Sequence, residues 1–262
     1  MNVLSDIITK RRERVEQAKK LVAVDKLRTD AFIKRRSSTP HALRTALQND
    51  GINVIAEFKR RSPSKGVIRA GADVTSIVQS YKAGGAVALS VLTEEDHFDG
   101  SLEDLRAAKS TVDLPVLRKD FVFDEYQIFE AAAAGADAVL LIVAALEDQQ
   151  LESLRRLIEE ELGMDALVEV HSADELKRAS NSKLIGVNNR DLRTFQVSLE
   201  TSIQLAPLAP RDALLVSESG LTTRSDVQRL RKHGFHGFLI GETLMRAHCP
   251  EAALRELRND VS

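Results

Sequence analysis

Eight short runs of aliphatic and β-branched residues recur from residue 53 onward, near 53–57, 86–91, 115–118, 138–142, 166–170, 184–188, 213–217 and 237–240. Helical patterns separate them, so a new unit begins roughly every 20–30 residues, the rhythm of an α/β fold with a parallel sheet. Ala138-Val139-Leu140-Leu141-Ile142 and Phe238-Leu239-Ile240 are apolar throughout, as strands covered on both faces are. In residues 147–161 one helical face is marked by Leu151, Leu154 and Ile158. Gly84-Gly85 and Gly135 read as helix stops leading into strands. Eight units without a linker predict closure into a (β/α)8 TIM barrel, for which a length of ~250 residues is typical. An open, doubly wound sheet is the structural alternative.

Residues 1–50 break the rhythm and are expected to form a helical extension covering the barrel, which itself occupies 51–262. Leu4, Ile7, Ile8, Val15 and Ala18 recur at helical spacing, with Ser5 as candidate cap. Lys and Arg crowd the other face through 10–36. That face reads either as solvated charge or as a basic cover that helps to retain an anion.

Composition narrows the function. A net charge of −2 and the absence of Trp give no field or stacking platform for nucleic acid. No apolar run nears the ~20 residues that span a bilayer, and Lys10-Arg11-Arg12 after the first apolar residues is not the order of a signal peptide. The single cysteine, Cys249, excludes an internal disulfide and fits a reducing cytoplasm. It reads as a packing residue rather than a nucleophile.

Barrel chemistry sits at the C-terminal ends of the strands. At the first, Glu57 and Lys59 are separated by one residue, so they leave the strand on one face while Phe58 points into apolar packing. Arg60, Arg61, Ser62 and Ser64 follow, groups suited to an anion, although much of the arginine charge reads as solvated. The second run leads to Thr93-Glu94, the third to Lys119-Asp120-Phe121, the sixth to Asn188-Asn189-Arg190-Asp191, the seventh to Glu218-Ser219-Gly220 and the eighth to Gly241-Glu242. Glu169 lies between Val168 and Val170; a carboxylate buried there is costly unless paired, and Lys59 or Lys119 is the available partner. Gly220 and Gly241, each ahead of a helix start, suit a phosphate held by backbone N–H groups. His233 and His236 lack further ligand spacing for a metal, while His41, His97, His171 and His248 read as surface or helix-packing residues.

These stretches closely resemble the indole-3-glycerol phosphate synthases of tryptophan biosynthesis. The likeness rests on Ala56-Glu57-Phe58-Lys59-Arg60-Arg61-Ser62-Pro63-Ser64, Val91-Leu92-Thr93-Glu94, Leu117-Arg118-Lys119-Asp120-Phe121, Gly186-Val187-Asn188-Asn189-Arg190-Asp191-Leu192 and Glu218-Ser219-Gly220, and it covers nearly the whole chain. It implies a phosphate-binding barrel that converts 1-(2-carboxyphenylamino)-1-deoxyribulose 5-phosphate to indole-3-glycerol phosphate, carbon dioxide and water, with no cofactor and no metal. By resemblance Lys119 matches the acid of ring closure and Glu169 the proton-transferring carboxylate. Lys59 matches a partner of the substrate carboxylate that also serves the leaving hydroxyl, and Glu57 balances the lysines. Asn188 and Ser219 match hydrogen-bonding positions, Arg190 a cation near the anionic groups, Glu218 a supporting carboxylate, and Phe121 and Leu192 substrate contacts. Ser62, Gly220, Gly241 and Glu242 match the phosphate end. Which lysine serves which step stays open.

Two positions depart from the family pattern: Ser217 stands where Ala is common and Asn189 where Ser is common, with little effect expected. The resemblance implies a cytoplasmic monomer acting on a small phosphorylated substrate, with association with other tryptophan-pathway enzymes left open. No fused isomerase domain is expected after the eighth helix. Phosphoribosylanthranilate isomerase is the rival barrel, but it lacks the extension and relies on a strand-end Cys/Asp pair, which Cys249 is too late to supply. A catalytically silent sugar-phosphate-binding barrel would have lost some of Glu57, Lys59, Lys119 and Glu169, and all four are present.

Overall fold

The computed structural model describes residues 3–258. Eight parallel strands form its centre: β1 (Asn53–Phe58), β2 (Ala88–Leu92), β3 (Val116–Lys119), β4 (Ala138–Ile142), β5 (Asp165–Val170), β6 (Leu184–Asn188), β7 (Leu214–Glu218) and β8 (Phe235–Ile240). Strand limits lie within two residues of those read from the sequence. β1 pairs with β2, Ile55 opposite Ala88, and with β8, Asn53 opposite Gly237. That pairing closes the barrel and removes every edge, which disposes of the open sheet. The register of β8 against β7 slips between Phe235 and Gly237, a bulge that leaves His236 exposed.

Alternation along each strand sorts side chains into two cores. Val54, Ala56 and Phe58 join the layer between strands and outer helices, whereas Ile55 joins Ala88, Leu117, Leu140, Leu167 and Val216 inside the barrel. The extension supplies three helices, α1 (Val3–Leu21), α2 (Val24–Arg35) and α3 (Ala42–Leu47). Leu43 and Leu47 of α3 belong to the inner core and are fully buried, so this helix closes the N-terminal end of the barrel. Asn53 Nδ2 donates to the Leu47 carbonyl at 3.0 Å, and the Arg44 amide donates to Asp165 Oδ2 at 2.9 Å. Truncating either leucine to alanine is worth about 2–5 kcal/mol at such a site.

The sequence expectations for the extension need two corrections. Ser5 lies inside α1 rather than capping it. The basic face is solvated over much of its length but docked in part: Arg11 is buried and pairs with Glu95 and Asp120, Arg14 pairs with Asp96, and Lys19 with Asp124, while Arg12 lies over the Phe123 ring at 4.6 Å. Arg35, at the end of α2, is buried and donates to the carbonyls of Leu162 and Gly163.

Nine further helices, α4 (Val74–Ala83), α5 (Glu95–Phe98), α6 (Leu102–Thr111), α7 (Glu125–Ala134), α8 (Asp148–Arg156), α9 (Ala173–Arg178), α10 (Glu200–Leu205), α11 (Arg224–Lys232) and α12 (Glu242–Arg246), lie between or after the strands, with α13 (Pro250–Arg258) last among the described residues. The helical run expected over 147–161 is regular only to Arg156, and Leu157–Glu161 widens into a π-helical turn. Among the described residues no helix is long and apolar enough to cross a membrane.

Candidate active site

The C-terminal rim gathers five charged side chains in one cluster. Lys119, the last residue of β3, places Nζ 3.0 Å from Glu169 Oε2 on β5 and 3.3 Å from Glu218 Oε2 on β7. Lys59 Nζ pairs with Glu57 Oε1, both at the exit of β1. Glu169 and Glu218 are each 2% exposed and Glu57 is 3% exposed, so a solvated surface role is excluded for all three. The partner of Glu169, left between two lysines by the sequence, is Lys119.

Burial and charge pull these groups in opposite directions. Burial works against the Lys119 ammonium, but Glu169, Glu218 and Glu57 outweigh it and hold the lysine charged well above its usual range. Burial likewise works against the Glu169 carboxylate, yet Lys119 and His171 keep it below the usual carboxylate range. Glu218 goes the other way. Its burial, reinforced by Glu169 and Glu57 and only partly opposed by Lys119, pushes it up to about 8. One lysine therefore sits between a carboxylate that its surroundings make harder to protonate and one that they make easier to protonate, a separation of the kind that acid–base chemistry uses.

Every residue assigned to the site from the sequence lines a single cavity of about 660 Å³ over this cluster. Phe121 forms an apolar wall with Phe98, ring centroids 6.1 Å apart. Asn188 Oδ1 accepts from the Arg190 amide at 3.0 Å, and Arg190 Nη1 donates to the Phe195 carbonyl at 3.2 Å, which ties the loop carrying Leu192 to the mouth. Ser62 is buried in the short hairpin that pairs Arg61–Ser62 with Gly66–Val67 after β1. Ser219 and Gly220 take φ of +66° and +80°; for a serine that is a strained conformation of the kind found at ligand sites. Gly241 precedes α12, whose first amides have no acceptor within the helix. The Glu242 carboxylate is itself engaged by Arg246 at 3.0 Å and Lys65 at 3.8 Å, so only its backbone is suited to an anion.

Several neighbours escaped the sequence reading. His171, read as a surface or packing residue, is 12% exposed with Nε2 3.3 Å from Glu169 Oε1. The signal was there: Glu169 and His171 are two apart on one strand end, as Glu57 and Lys59 are. Leu4 and Ile7 of α1 also line the cavity. Arg60 is not solvated; it grips Asp104 through two bonds of 2.6 and 2.7 Å and lies over Phe58. Thr93 and Glu94 prove structural, Thr93 bonding Asp120 and Glu94 capping α5. Cys249 is exposed, not packed. The two departures from the family pattern meet: Asn189 Nδ2 donates to Ser217 Oγ at 2.9 Å and to the Ser219 carbonyl at 3.1 Å.

Comparisons with known proteins point to one family. Residues 4–257 match the family described as indole-3-glycerol phosphate synthase. The indole-3-glycerol phosphate synthase of Koribacter versatilis is 53% identical over 236 residues, 88% of this chain and 90% of that protein. Those of Bacteroides thetaiotaomicron and Carboxydothermus hydrogenoformans are each 46% identical over 97% of this chain, covering 96% and 98% of their own lengths. Among solved structures, thiamine phosphate pyrophosphorylase from Pyrococcus furiosus superposes with a TM-score of 0.60 at 17% identity, over 83% of this chain and 96% of that one, a likeness of fold alone.

Proposed function

The chain belongs to the indole-3-glycerol phosphate synthase family, carboxy-lyases of tryptophan biosynthesis, and from that premise we propose how its rim residues share the reaction. The observation that carries the proposal is Lys119 held between Glu169 and Glu218.

Ring closure joins the carboxyl-bearing arene carbon to the ketose carbonyl carbon. Lys119 gives its proton to the carbonyl oxygen as that bond forms, turning it into a hydroxyl. The substrate carboxylate then leaves as carbon dioxide, and its bonding pair restores the aromatic ring. Dehydration follows: Lys59 protonates the departing hydroxyl, and Glu169 takes a proton from the new five-membered ring. Before that step Lys59 pairs with the substrate carboxylate. Glu57 aims Lys59 through their ion pair, and Glu218, whose burial raises its hold on a proton, supports Lys119 from β7.

The substrate's aromatic end would lie against Phe121 and Leu192, with Asn188, Arg190 and Ser219 on its polar groups. Its phosphate would lie across Ser62 and the backbone amides near Gly220, Gly241 and Glu242. The reading extends to a cytoplasmic monomer whose partner is this small phosphorylated substrate, with residues 1–50 as cover and 51–262 as barrel, of which 1–2 and 259–262 lie outside the described residues.

Purified protein mixed with the carboxyphenylamino ketose phosphate, in buffer without added metal or cofactor, should develop indole fluorescence. A folded preparation that stays dark under those conditions rejects the proposal.

A further inference from the structure

His171 has no task in the scheme above, yet it shares a strand face with Glu169. Its ring is held from behind: Nδ1 lies 3.2 Å from Glu175 Oε2, and the His171 amide donates to that same oxygen at 2.8 Å. Glu175 stands in the first turn of α9, after the Ser172 cap. This double hold turns Nε2 toward the barrel interior, 3.3 Å from Glu169 Oε1. The contact is within ion-pair reach but outside hydrogen-bond geometry, and Nε2 is a buried polar atom with no hydrogen-bond partner. A buried donor left in that state is costly, and a small shift of Glu169 would satisfy it.

The two oxygens of Glu169 are thus divided, Oε2 toward Lys119 and Oε1 toward His171. The division matters during turnover. Once Lys119 has given its proton to the substrate, Glu169 loses the cation on one side. A protonated His171 is the cation that remains. The charged groups facing His171 are Glu169 on its own strand and Glu175 on α9; those facing Glu169 are Lys119 and His171, with Glu218 beyond Lys119.

We propose that His171, aimed by Glu175, is a positioning residue that holds Oε1 of Glu169 and keeps this carboxylate ionised after Lys119 has been discharged. The proposal rests on Glu169 acting as the base. Burial opposes the imidazolium, but the two flanking carboxylates raise its pKa to about 10, so it is charged throughout the neutral range.

The test is kcat against pH, which reports the groups of the substrate-bound enzyme, for the full chain and for His171→Asn, Glu175→Gln, the double variant and Glu169→Gln, with circular dichroism to verify folding. A neutral Asn beside Glu169 should move the acidic limb up by about one pH unit, the low end for loss of a neighbouring opposite charge, and lower the plateau ~10-fold. Glu175→Gln should move the limb in the same direction by less. The double variant should match His171→Asn alone, because Glu175 acts through His171. A wild-type limb in folded His171→Asn overturns the proposal, as does additivity in the double variant. If His171→Asn does not fold, an unmoved limb in Glu175→Gln overturns it. Wild-type turnover by Glu169→Gln would instead remove the base reading itself, a distinct failure.

Discussion

A β-carbon on Gly186 would stand 2.1 Å from Glu218 Oε1: the carboxyl group of β7 occupies the space that any larger residue on β6 would fill. Gly241 has the same relation to Glu57, at 2.3 Å from Oε1. Gly241 has φ of −119°, so what Glu57 requires of it is room and not a special backbone conformation. Two carboxyl groups find room at the rim because a glycine in β6 and a glycine just after β8 carry no side chain beside them.

Gly186→Ala should therefore act on catalysis more than on folding. The added methyl group displaces a side-chain tip rather than backbone, a strain of about 1–3 kcal/mol, but it moves Glu218 away from Lys119. Steady-state kinetics should show kcat down ~10–10²-fold with a modest fall in Tm. A variant with wild-type kcat would mean that Glu218 does not need its place.

Lys119→Ala and Glu169→Gln should each lose ~10²–10⁴ in kcat if they transfer protons, with near-native circular dichroism. Fluorescence assays at saturating substrate decide this, and a variant that keeps near-full turnover leaves the catalytic set.

Thermal stability should fall on the alkaline side. His171 binds its proton more tightly folded, up to about 10, than unfolded, near 6.5. The stabilisation is complete below pH 6.5 and is lost as pH rises toward 10, because the unfolded chain then binds fewer protons than the native one. Calorimetric scans across that window should show Tm dropping for the native chain and a flatter profile for His171→Asn. Equal slopes would reject the linkage.

Arg11→Ala should loosen the N-terminal cover. Arg11 is 4% exposed and joins Glu95 and Asp120, which also accepts from Arg118 and Thr93. Breaking one arm of a buried pair costs about 3–5 kcal/mol, and the remaining Arg118 contact favours the low end. Denaturant unfolding measures that loss. KM should rise as well, since Leu4 and Ile7 on the same helix line the cavity; an unchanged KM would separate the cover from substrate binding.

The barrel was legible because burial on both faces writes continuous apolar runs into a strand, and helix-spaced runs between them leave few other architectures. Glu57 and Lys59 were legible for a related reason: a two-residue period is local. The family resemblance then marked the other site residues. The match between Lys119 and Glu169 was not legible, because the two are 50 positions apart and meet only when β3 and β5 take their places around a closed sheet. Nor was the protonation pattern. Glu169 and Glu218 are the same residue type at corresponding strand ends, and what separates them is the set of charges each one faces once water is excluded. Periodicity along the chain was enough to place the eight strands and the face that Glu57 and Lys59 share. Closure of the barrel decided which charges meet, and their shared burial decided in which direction each one's hold on a proton moves, since Coulomb interactions act through space and strengthen as the surroundings become less polar.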